Sequence, residues 1–250
     1  LPGGKEQIAG EYQPGWMLLS YGKKVSVSSS LEGYPAENIV DEDARTAWVA
    51  QSNRDMEWAQ VDLQRLSSIH AIQVNFDEYG ANQKGAVSGV YQSYLIYASV
   101  NGEDWSLVVD YGTKKTDTPH DYIEFEEPFK ARYIKLQNKE YMVSENFSVR
   151  DLRIFGKGQG STPRAVNDFT VERDEADPCK ARLCWEAVPD AQGYIVRYGI
   201  AGDKLYNNFQ VMGENTLEIG SLNKGVAYYF TIDAYNENGI TRTSRIKVCR

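Results

Sequence analysis

The sequence predicts an all-β protein built from antiparallel sheets, most economically a sandwich or a jelly roll. Its 250 residues include 17 tyrosines, five tryptophans and 21 glycines, a composition that favours strands and turns over helices. Short runs alternate between apolar and polar residues, which is typical of half-buried strands. No amphipathic stretch is long enough for the helical crossovers that a parallel sheet requires.

Two strand-rich units follow one another along the chain. In the first, residues 23–157, alternation predicts strands at 25–28, 58–63, 69–76, 94–99, 106–109, 122–125, 132–136 and 151–155, and Asn101-Gly102 marks a tight hairpin. A linker at 158–163 leads to the second unit, residues 164–250, with strands at 181–185, 194–198 and 228–235. Residues 1–22 form a linker and packing segment. Its apolar run at 16–19 is expected to pack on the following domain or on one further upstream.

The acidic balance of the chain limits the classes of partner. A formal net charge of -8 argues against nucleic acid or an anionic membrane, because both would repel it, whereas a neutral ligand is easier to accommodate. No apolar run approaches the roughly 20 residues of a membrane span, so no membrane insertion is expected. We expect Cys179, Cys184 and Cys249 to be free or partly buried thiols, because a disulfide-based fold would contain more cysteines.

A turn between two predicted strands is rich in oxygen atoms. Asp41, Asp43 and Thr46 lie close together in sequence, and Trp48 follows directly. Carboxylate, carbonyl and hydroxyl oxygens are the ligands that Ca²⁺ prefers. Asp and Thr side chains in a solvated acidic turn can equally bond their own backbone. Local chemistry leaves both interpretations open.

Particular residues of both units match known families. The second unit resembles a fibronectin type III domain: Trp185 matches the tryptophan of its second strand, and Leu222 followed by Tyr228 matches its tyrosine corner. The first unit resembles the discoidin, or coagulation factor type C, fold used in carbohydrate-binding module family 32. The matching segments are 35–41, 46–48, 58–63, 97–99, 101–105, 131–136 and 151–156. The resemblance implies a jelly roll followed by an immunoglobulin-like β-sandwich.

The order of these modules, together with residues 14–21, resembles the C-terminal region of a bacterial glycoside hydrolase family 43 enzyme acting on xylan or arabinan side chains. The resemblance implies a catalytic domain upstream and a monomer located outside the cytoplasm. It also implies that the partner is a neutral, plant-type oligo- or polysaccharide. The residues agree that this chain is not itself an enzyme, since His70 and His120 give little support to a serine triad.

The same resemblance implies a structural calcium ion that ties the 38–46 turn to the last strand of the jelly roll. Six or seven oxygen ligands suit Ca²⁺ better than Mg²⁺. The implied ligands are the backbone oxygens of Asn38, Asp43 and Arg150, the carboxylates of Asp41 and Asp151, and the carbonyl and hydroxyl of Thr46.

The resemblance also implies that sugar binds to the loops at one end of the barrel. Aromatic rings there stack on the C–H faces of sugars while polar side chains bond the hydroxyls. The candidate residues are Asn53, Arg54, Tyr79, Asn82, Tyr91, His120, Tyr141 and Asn146. Trp48, Trp58 and Trp105 are instead expected in the core. Two other roles stay open: an architectural packing or spacer module of the hydrolase, and a protein-adhesion module.

Overall fold

A computed structural model describes residues 15–81 and 89–250. Apart from a short 3-10 helix at Ala36–Val40, the regular elements in these residues are antiparallel β-strands, which confirms the all-β prediction. The chain divides into two compact units, one of Trp16–Gln159 and one that contains Gly160–Arg250. Within the described ranges, no helix is long and apolar enough to span a bilayer.

The first unit is a jelly-roll-like sandwich made from one eight-stranded sheet. The main strand order is β1-β8-β4-β7-β5-β6, with β2 paired to β4 and β3 paired to β8. The strands are β1 Met17–Leu18, β2 Lys24–Val27, β3 Trp48–Val49, β4 Trp58–Phe76, β5 Gln92–Ser99, β6 Ser106–Tyr111, β7 His120–Tyr141 and β8 Ser148–Lys157.

Two of these strands each join segments that the sequence predicts as separate strands. The predicted strands 58–63 and 69–76 are one strand, β4, and 122–125 and 132–136 are one strand, β7. Register shifts between Asp62 and Ser67 and between Ile69 and Ala71 bend the β4–β7 pair, and Gln64 takes a φ of 65° inside the first shift. Bulges bend a strand without ending it, so the same pair of strands serves both halves of the sandwich.

The core of the first unit lies between these two halves. Val61 and Ile134 come from the half in which β4 pairs with β2, while Ile72 and Leu152 come from the half in which β4 pairs with β8. Trp48 is fully buried in this core, as expected, and its indole Nε1 donates to the backbone oxygen of Ser29 at 3.0 Å. Trp58 and Trp105 were also expected in the core, but both are only partly buried, so the prediction was wrong for them. The pairing of β4 and β7 thus fixes where the connecting loops emerge.

The apolar run at 16–19 packs on the first unit. Met17 and Leu18 pair with Gly156 and Phe155 of β8, and Leu19 is buried. The ring of Trp16 stacks on His70 with centroids 5.1 Å apart. The segment therefore contributes an edge strand to the jelly roll.

The second unit is a sandwich of a three-stranded and a five-stranded sheet. The first has the order β13-β10-β9, and the second β12-β11-β14-β15 with β16 paired to β14. The strands are β9 Phe169–Arg173, β10 Ala181–Trp185, β11 Gly193–Gly199, β12 Asn207–Met212, β13 Thr216–Ile219, β14 Tyr228–Asn236, β15 Gly239–Thr241 and β16 Lys247–Cys249.

Aromatic residues fill the space between the two sheets of this second unit. The rings of Trp185 and Tyr194 meet edge to face at 5.1 Å, and Phe230 is fully buried. All three cysteines have free thiols: Cys249 is buried, and Cys179 and Cys184 are partly buried.

Candidate functional site

Loops from distant parts of the chain meet at one end of the first unit. The Phe147 amide donates to the Ser52 carbonyl at 2.9 Å, and the Ala50 amide donates to the Phe147 carbonyl at 2.8 Å. The Met142 amide donates to the Tyr91 carbonyl at 3.1 Å. These backbone bonds join the loops around residues 50–57, 89–91 and 142–147 into one surface.

An open pocket of about 520 Å³ lies on this surface. It lies between the end of β2 and the loop that leads into β4. Its lining residues are Ser28, Ser29, Gln51, Ser52, Arg54, Asp55, Met56 and Glu57. The lining is largely polar and carries both signs of charge, which suits a ligand that both donates and accepts hydrogen bonds.

The carboxylate of Glu57 is the centre of the pocket's hydrogen bonds. It accepts from the hydroxyls of Ser28, of Ser29 at 2.8 Å, and of Ser52 at 2.7 Å. Burial alone would raise the pKa of Glu57, but these hydroxyls together with the Ser52 backbone amide hold that pKa below its usual value. Glu57 is therefore a fixed, ionised acceptor at neutral pH.

Arg54 and Met56 supply the exposed groups of the pocket. Within residues 15–81 and 89–250 the guanidinium of Arg54 has no ion-pair partner. Met56 takes a φ of 80°, a left-handed conformation that side-chain-bearing residues rarely adopt, and it is 61% exposed. Backbone outliers of this kind cluster at functional sites, because the surrounding structure must hold them in place.

One buried side chain holds the pocket loop in place. Asn138 of β7 is completely buried, and its Nδ2 donates to the carbonyls of Asn53 at 2.8 Å and Arg54 at 2.9 Å. Its backbone amide donates to the Glu57 carbonyl at 2.8 Å, and its carbonyl accepts from the Met56 amide at 3.2 Å. Asn138 is thus tied to four residues of the loop.

Two predicted sugar-binding residues also brace these loops. The Asn53 Nδ2 donates to the Ser144 carbonyl at 2.8 Å and to the Tyr141 carbonyl at 3.3 Å. The Asn146 Nδ2 donates to the Ala50 carbonyl at 2.9 Å. Both amide groups are therefore engaged by the backbone.

Tyr141 requires a correction to the predicted sugar-binding set. Its ring is only 2% exposed and packs edge to face on Phe147 at 5.3 Å. Its hydroxyl donates to the carbonyl of Asp77 and lies 3.2 Å from the Ser148 hydroxyl. A ring enclosed in this way has no face on which a sugar can stack, so Tyr141 is a core residue.

Tyr79 and Tyr91 do not line the pocket and have other neighbours. Tyr79 is half-buried and meets Tyr34 edge to face at 4.9 Å. The Tyr91 hydroxyl donates to Glu140 at 2.6 Å, and the Lys115 ammonium lies 5.1 Å from the Tyr91 ring. Asn82 lies outside the described residues.

His120 lies with the predicted metal ligand Asp151 and not with the pocket. Asn75 joins the two: its Oδ1 is 3.1 Å from His120 Nδ1, and its Nδ2 donates to Asp151 Oδ2 at 2.8 Å. The three residues are cross-strand neighbours on β7, β4 and β8.

The predicted calcium turn brings oxygens of three residues together. The Thr46 hydroxyl is 2.8 Å from Asp41 Oδ2 and 2.9 Å from the Asp43 carbonyl. The Asp43 carboxylate points elsewhere, because it pairs with Arg45, whose side-chain and backbone hydrogen bonds lower the pKa of Asp43 to about 2. Of the Asp43 oxygens, the backbone carbonyl is the one that faces the Thr46 hydroxyl.

The side chains of the remaining predicted metal ligands have other partners. The Asn38 amide donates to the Ala47 carbonyl at 2.8 Å, and the Arg150 guanidinium pairs with Asp77 at 2.5 Å. In the described part of the chain, no group of three or more His, Cys, Asp or Glu side chains is placed to hold a metal. The predicted calcium ligands are mainly carbonyl and hydroxyl oxygens, so they do not form a cluster of His, Cys, Asp or Glu side chains of that kind.

Sequence reasoning found one side of the pocket and missed the other. The loop 51–57, in which Asn53 and Arg54 were predicted to bind sugar, supplies most of the lining, whereas Ser28 was part of a predicted strand and Ser29 was not singled out. The run of serines and the acid 28 residues later gave no local signal that they would meet, because their contact depends on the pairing of β2 with β4. Arg54 is the predicted residue that the structure places in the pocket with an exposed side chain.

Comparison with known proteins agrees with this architecture. The F5/8 type C domain profile matches residues 24–151, just over half of the chain. The chain belongs to the F5/8 type C domain family. Lactadherin from Rattus norvegicus is 33% identical to it over 110 residues, which is 41% of this chain and 25% of lactadherin. Lactadherin from Mus musculus is 32% identical over 110 residues. The chain thus spans about a quarter of the length of these relatives.

Several solved structures are also similar to the F5/8 type C unit. Chitosan-binding module 1 of a Paenibacillus sp. IK-5 chitosanase/glucanase is 20% identical, with 56% of this chain and 99% of the module covered and a TM-score of 0.47. The family 32 carbohydrate-binding module of Clostridium perfringens NanJ, solved with galactose, is 18% identical, with 56% and 98% covered and a TM-score of 0.45.

Proposed function

We propose that the F5/8 type C unit is a non-catalytic carbohydrate-binding module that takes a neutral saccharide in the pocket beside Glu57. The observation that carries the proposal is the composition of this pocket. An exposed guanidinium from Arg54, a fixed carboxylate from Glu57 and an exposed thioether from Met56 open onto one cavity of about 520 Å³.

Each group has a role that suits a sugar. Arg54 donates several hydrogen bonds in a planar fork, and Glu57 accepts from hydroxyls, so vicinal hydroxyl groups can be bound from both sides. Met56 offers a flexible apolar surface to the C–H face of the ring. The pocket holds charges of both signs, which favours a neutral ligand over an anion or a cation.

Calorimetric titration with a panel of saccharides tests this proposal. The panel includes galactose and chitotriose, with which the NanJ module and Paenibacillus module 2 were solved, as well as arabinan and xylan oligosaccharides. Arg54→Ala should abolish binding of the ligand that the panel identifies. Arg65→Ala is the matched control, because Arg65 is an exposed arginine at the bend of β4. Absence of binding to every saccharide would overturn the proposal.

We also propose that the chain is the accessory region of an extracytoplasmic polysaccharide-degrading hydrolase, monomeric, with the second unit as a fibronectin type III spacer. Two features of the second unit support its assignment. Trp185 is buried between its sheets, and the Tyr228 hydroxyl accepts from the Asn223 backbone amide at 3.2 Å, as a tyrosine corner does. Limited proteolysis of the full-length protein tests the linker, which should be cut between the two units. Sedimentation tests the oligomeric state, which should be monomeric.

An architectural role through residues 16–19 is the weaker alternative. Met17 and Leu18 pair with β8, Leu19 is buried, and the ring of Trp16 stacks on His70, so the segment offers little surface to an upstream domain.

Calcium at the 41–46 turn is proposed as a stabiliser of the jelly roll. The donor set fits a hard cation: oxygens of Asp41, Asp43 and Thr46 converge, and the single hydroxyl hydrogen of Thr46 can satisfy only one of its two close acceptors. A melting-temperature comparison in Ca²⁺ and in chelator tests this, with Asp41→Asn as the variant expected to lose the difference. An unchanged melting temperature in chelator would count against it.

A further inference from the structure

A row of aromatic rings and cations crosses the outer face of the sheet formed by β4, β7 and β5. Tyr97 of β5 lies directly opposite Lys135 of β7, and Tyr133 follows two residues away on the same face. Trp105, which precedes β6, meets Tyr133 at a ring-centroid distance of 6.5 Å. All four side chains are half-exposed, and Leu107 beside them is 48% exposed.

Lys135 lies between two of these rings. Its ammonium is 4.1 Å from the centroid of Trp105 and 5.3 Å from that of Tyr97. Partial burial lowers the pKa of Lys135. A lysine in such a position is attracted by the ring faces, but its charge is incompletely solvated.

Lys135 has no anionic partner in residues 15–81 and 89–250. Two carboxylates beside this row are engaged with other groups. Asp62, opposite Tyr133 on β4, forms a two-point pair with Arg132, and Asp104, which precedes Trp105, accepts from Asn101 at 2.9 Å. Gln60, opposite Lys135 on β4, is uncharged. The row therefore presents an uncompensated positive charge on a chain whose net charge is -8.

We propose that this sheet face is a second binding site, and that it takes a carboxylated saccharide, a uronate residue of an acidic polysaccharide. The carboxylate would pair with the ammonium of Lys135, and the C–H face of the sugar would rest on Trp105. A ligand carboxylate would neutralise the positive charge of Lys135 through a charge-assisted hydrogen bond. The aromatic rings beside Lys135 would contact the apolar face of the same sugar.

The site differs from the pocket in two properties that can be measured. It lies on a strand face formed by Tyr97, Trp105 and Lys135, whereas the pocket lies in the loops at Arg54. Its ligand is charged, so binding depends on ionic strength, because salt screens a half-exposed ion pair. A neutral ligand in the pocket has no such dependence.

Affinity electrophoresis and calorimetry with polygalacturonate test the proposal on the whole chain. The same polymer after chemical reduction of its carboxyl groups is the matched ligand control. We expect the wild-type protein to bind polygalacturonate, to lose at least tenfold in affinity when NaCl is raised from about 50 mM to about 500 mM, and to bind the reduced polymer at least tenfold more weakly.

The variant Lys135→Met removes the charge and keeps most of the side chain. It should lower the affinity for polygalacturonate at least tenfold, while Lys139→Met, at a β7 lysine already paired with Asp55, should not. Equal binding of both polymers, or full affinity in Lys135→Met, would overturn the proposal. The salt dependence of the wild-type protein shows that the charge of the ligand is recognised, and the loss of affinity in Lys135→Met places that recognition at Lys135. The variant Arg54→Ala separates the two proposals. It should abolish binding of a neutral saccharide in the pocket and leave binding of polygalacturonate to the sheet face unchanged.

Discussion

Replacement of Asn138 by alanine is expected to destabilise the first unit and weaken the pocket together. Asn138 is completely buried, and its Nδ2 satisfies the carbonyls of Asn53 and Arg54 at 2.8 and 2.9 Å. Alanine leaves both carbonyls without this donor. In the described part of the chain the Asn138 Oδ1 has no hydrogen-bond partner, so its removal returns part of the loss.

The magnitude follows from these three groups. Each carbonyl left without a donor in a buried position costs about 1–3 kcal/mol, and loss of the unpartnered oxygen regains about 1–2 kcal/mol. We therefore expect Asn138→Ala to lower the free energy of unfolding by about 2–4 kcal/mol once the cavity left by the side chain is included. Asn146→Ala, which removes one bond from a half-buried amide, should cost about 1 kcal/mol.

Urea unfolding followed by tryptophan fluorescence measures this difference. Four of the five tryptophans lie in the first unit, so the signal reports mainly on that unit. Saccharide affinity should fall in Asn138→Ala as well, because the loop that carries Arg54 loses its anchor. A free energy within about 0.5 kcal/mol of wild type would refute the reasoning, since surface substitutions without structural consequence fall in that range.

Three further predictions follow from particular contacts. Gly156→Ala should prevent stable folding or cost several kcal/mol, because the new Cβ would lie 2.0 Å from the Ser68 carbonyl; circular dichroism melting checks this. Tyr141→Phe should lower the free energy of unfolding by about 1–2 kcal/mol through the lost bond to Asp77, yet leave saccharide affinity unchanged, and a loss of affinity without a loss of stability would contradict its assignment to the core. The lowered pKa of Glu57 contributes stability that is fully present above the ordinary value of 4.5 and is lost as the pH falls through the folded-state pKa. Glu57→Gln should therefore reduce the loss of stability on acidification from about pH 6 to pH 3, and an acid dependence equal to that of wild type would exclude Glu57 as a contributor.

The sequence was sufficient for the local features of this protein. Alternation located six of the eight strands of the first unit but only β10, β11 and β14 among the eight strands of the second, because side chains alternate across a strand only where one face is buried. The jelly roll was expected from residues that resemble a known family. The sequence also placed Trp48 in the core, and the loop in which it predicted Arg54 lines the pocket. The predicted breaks in β4 and β7 were wrong, since a bulge and a turn have similar composition and differ only in whether the partner strand continues.

Tertiary structure alone decided which side chains are available to a ligand. Tyr141 and Tyr91 are both loop-end tyrosines in the sequence, yet Tyr141 is enclosed by the core while Tyr91 is half-exposed. The carboxylate of Glu57 accepts from Ser52 in its own loop and from two serines at least 28 residues away, Ser28 and Ser29. Those two serines reach it because β2 pairs with β4. Burial and hydrogen bonding between distant segments depend on strand register, and register is a property of the assembled sheet that no single segment of the sequence contains.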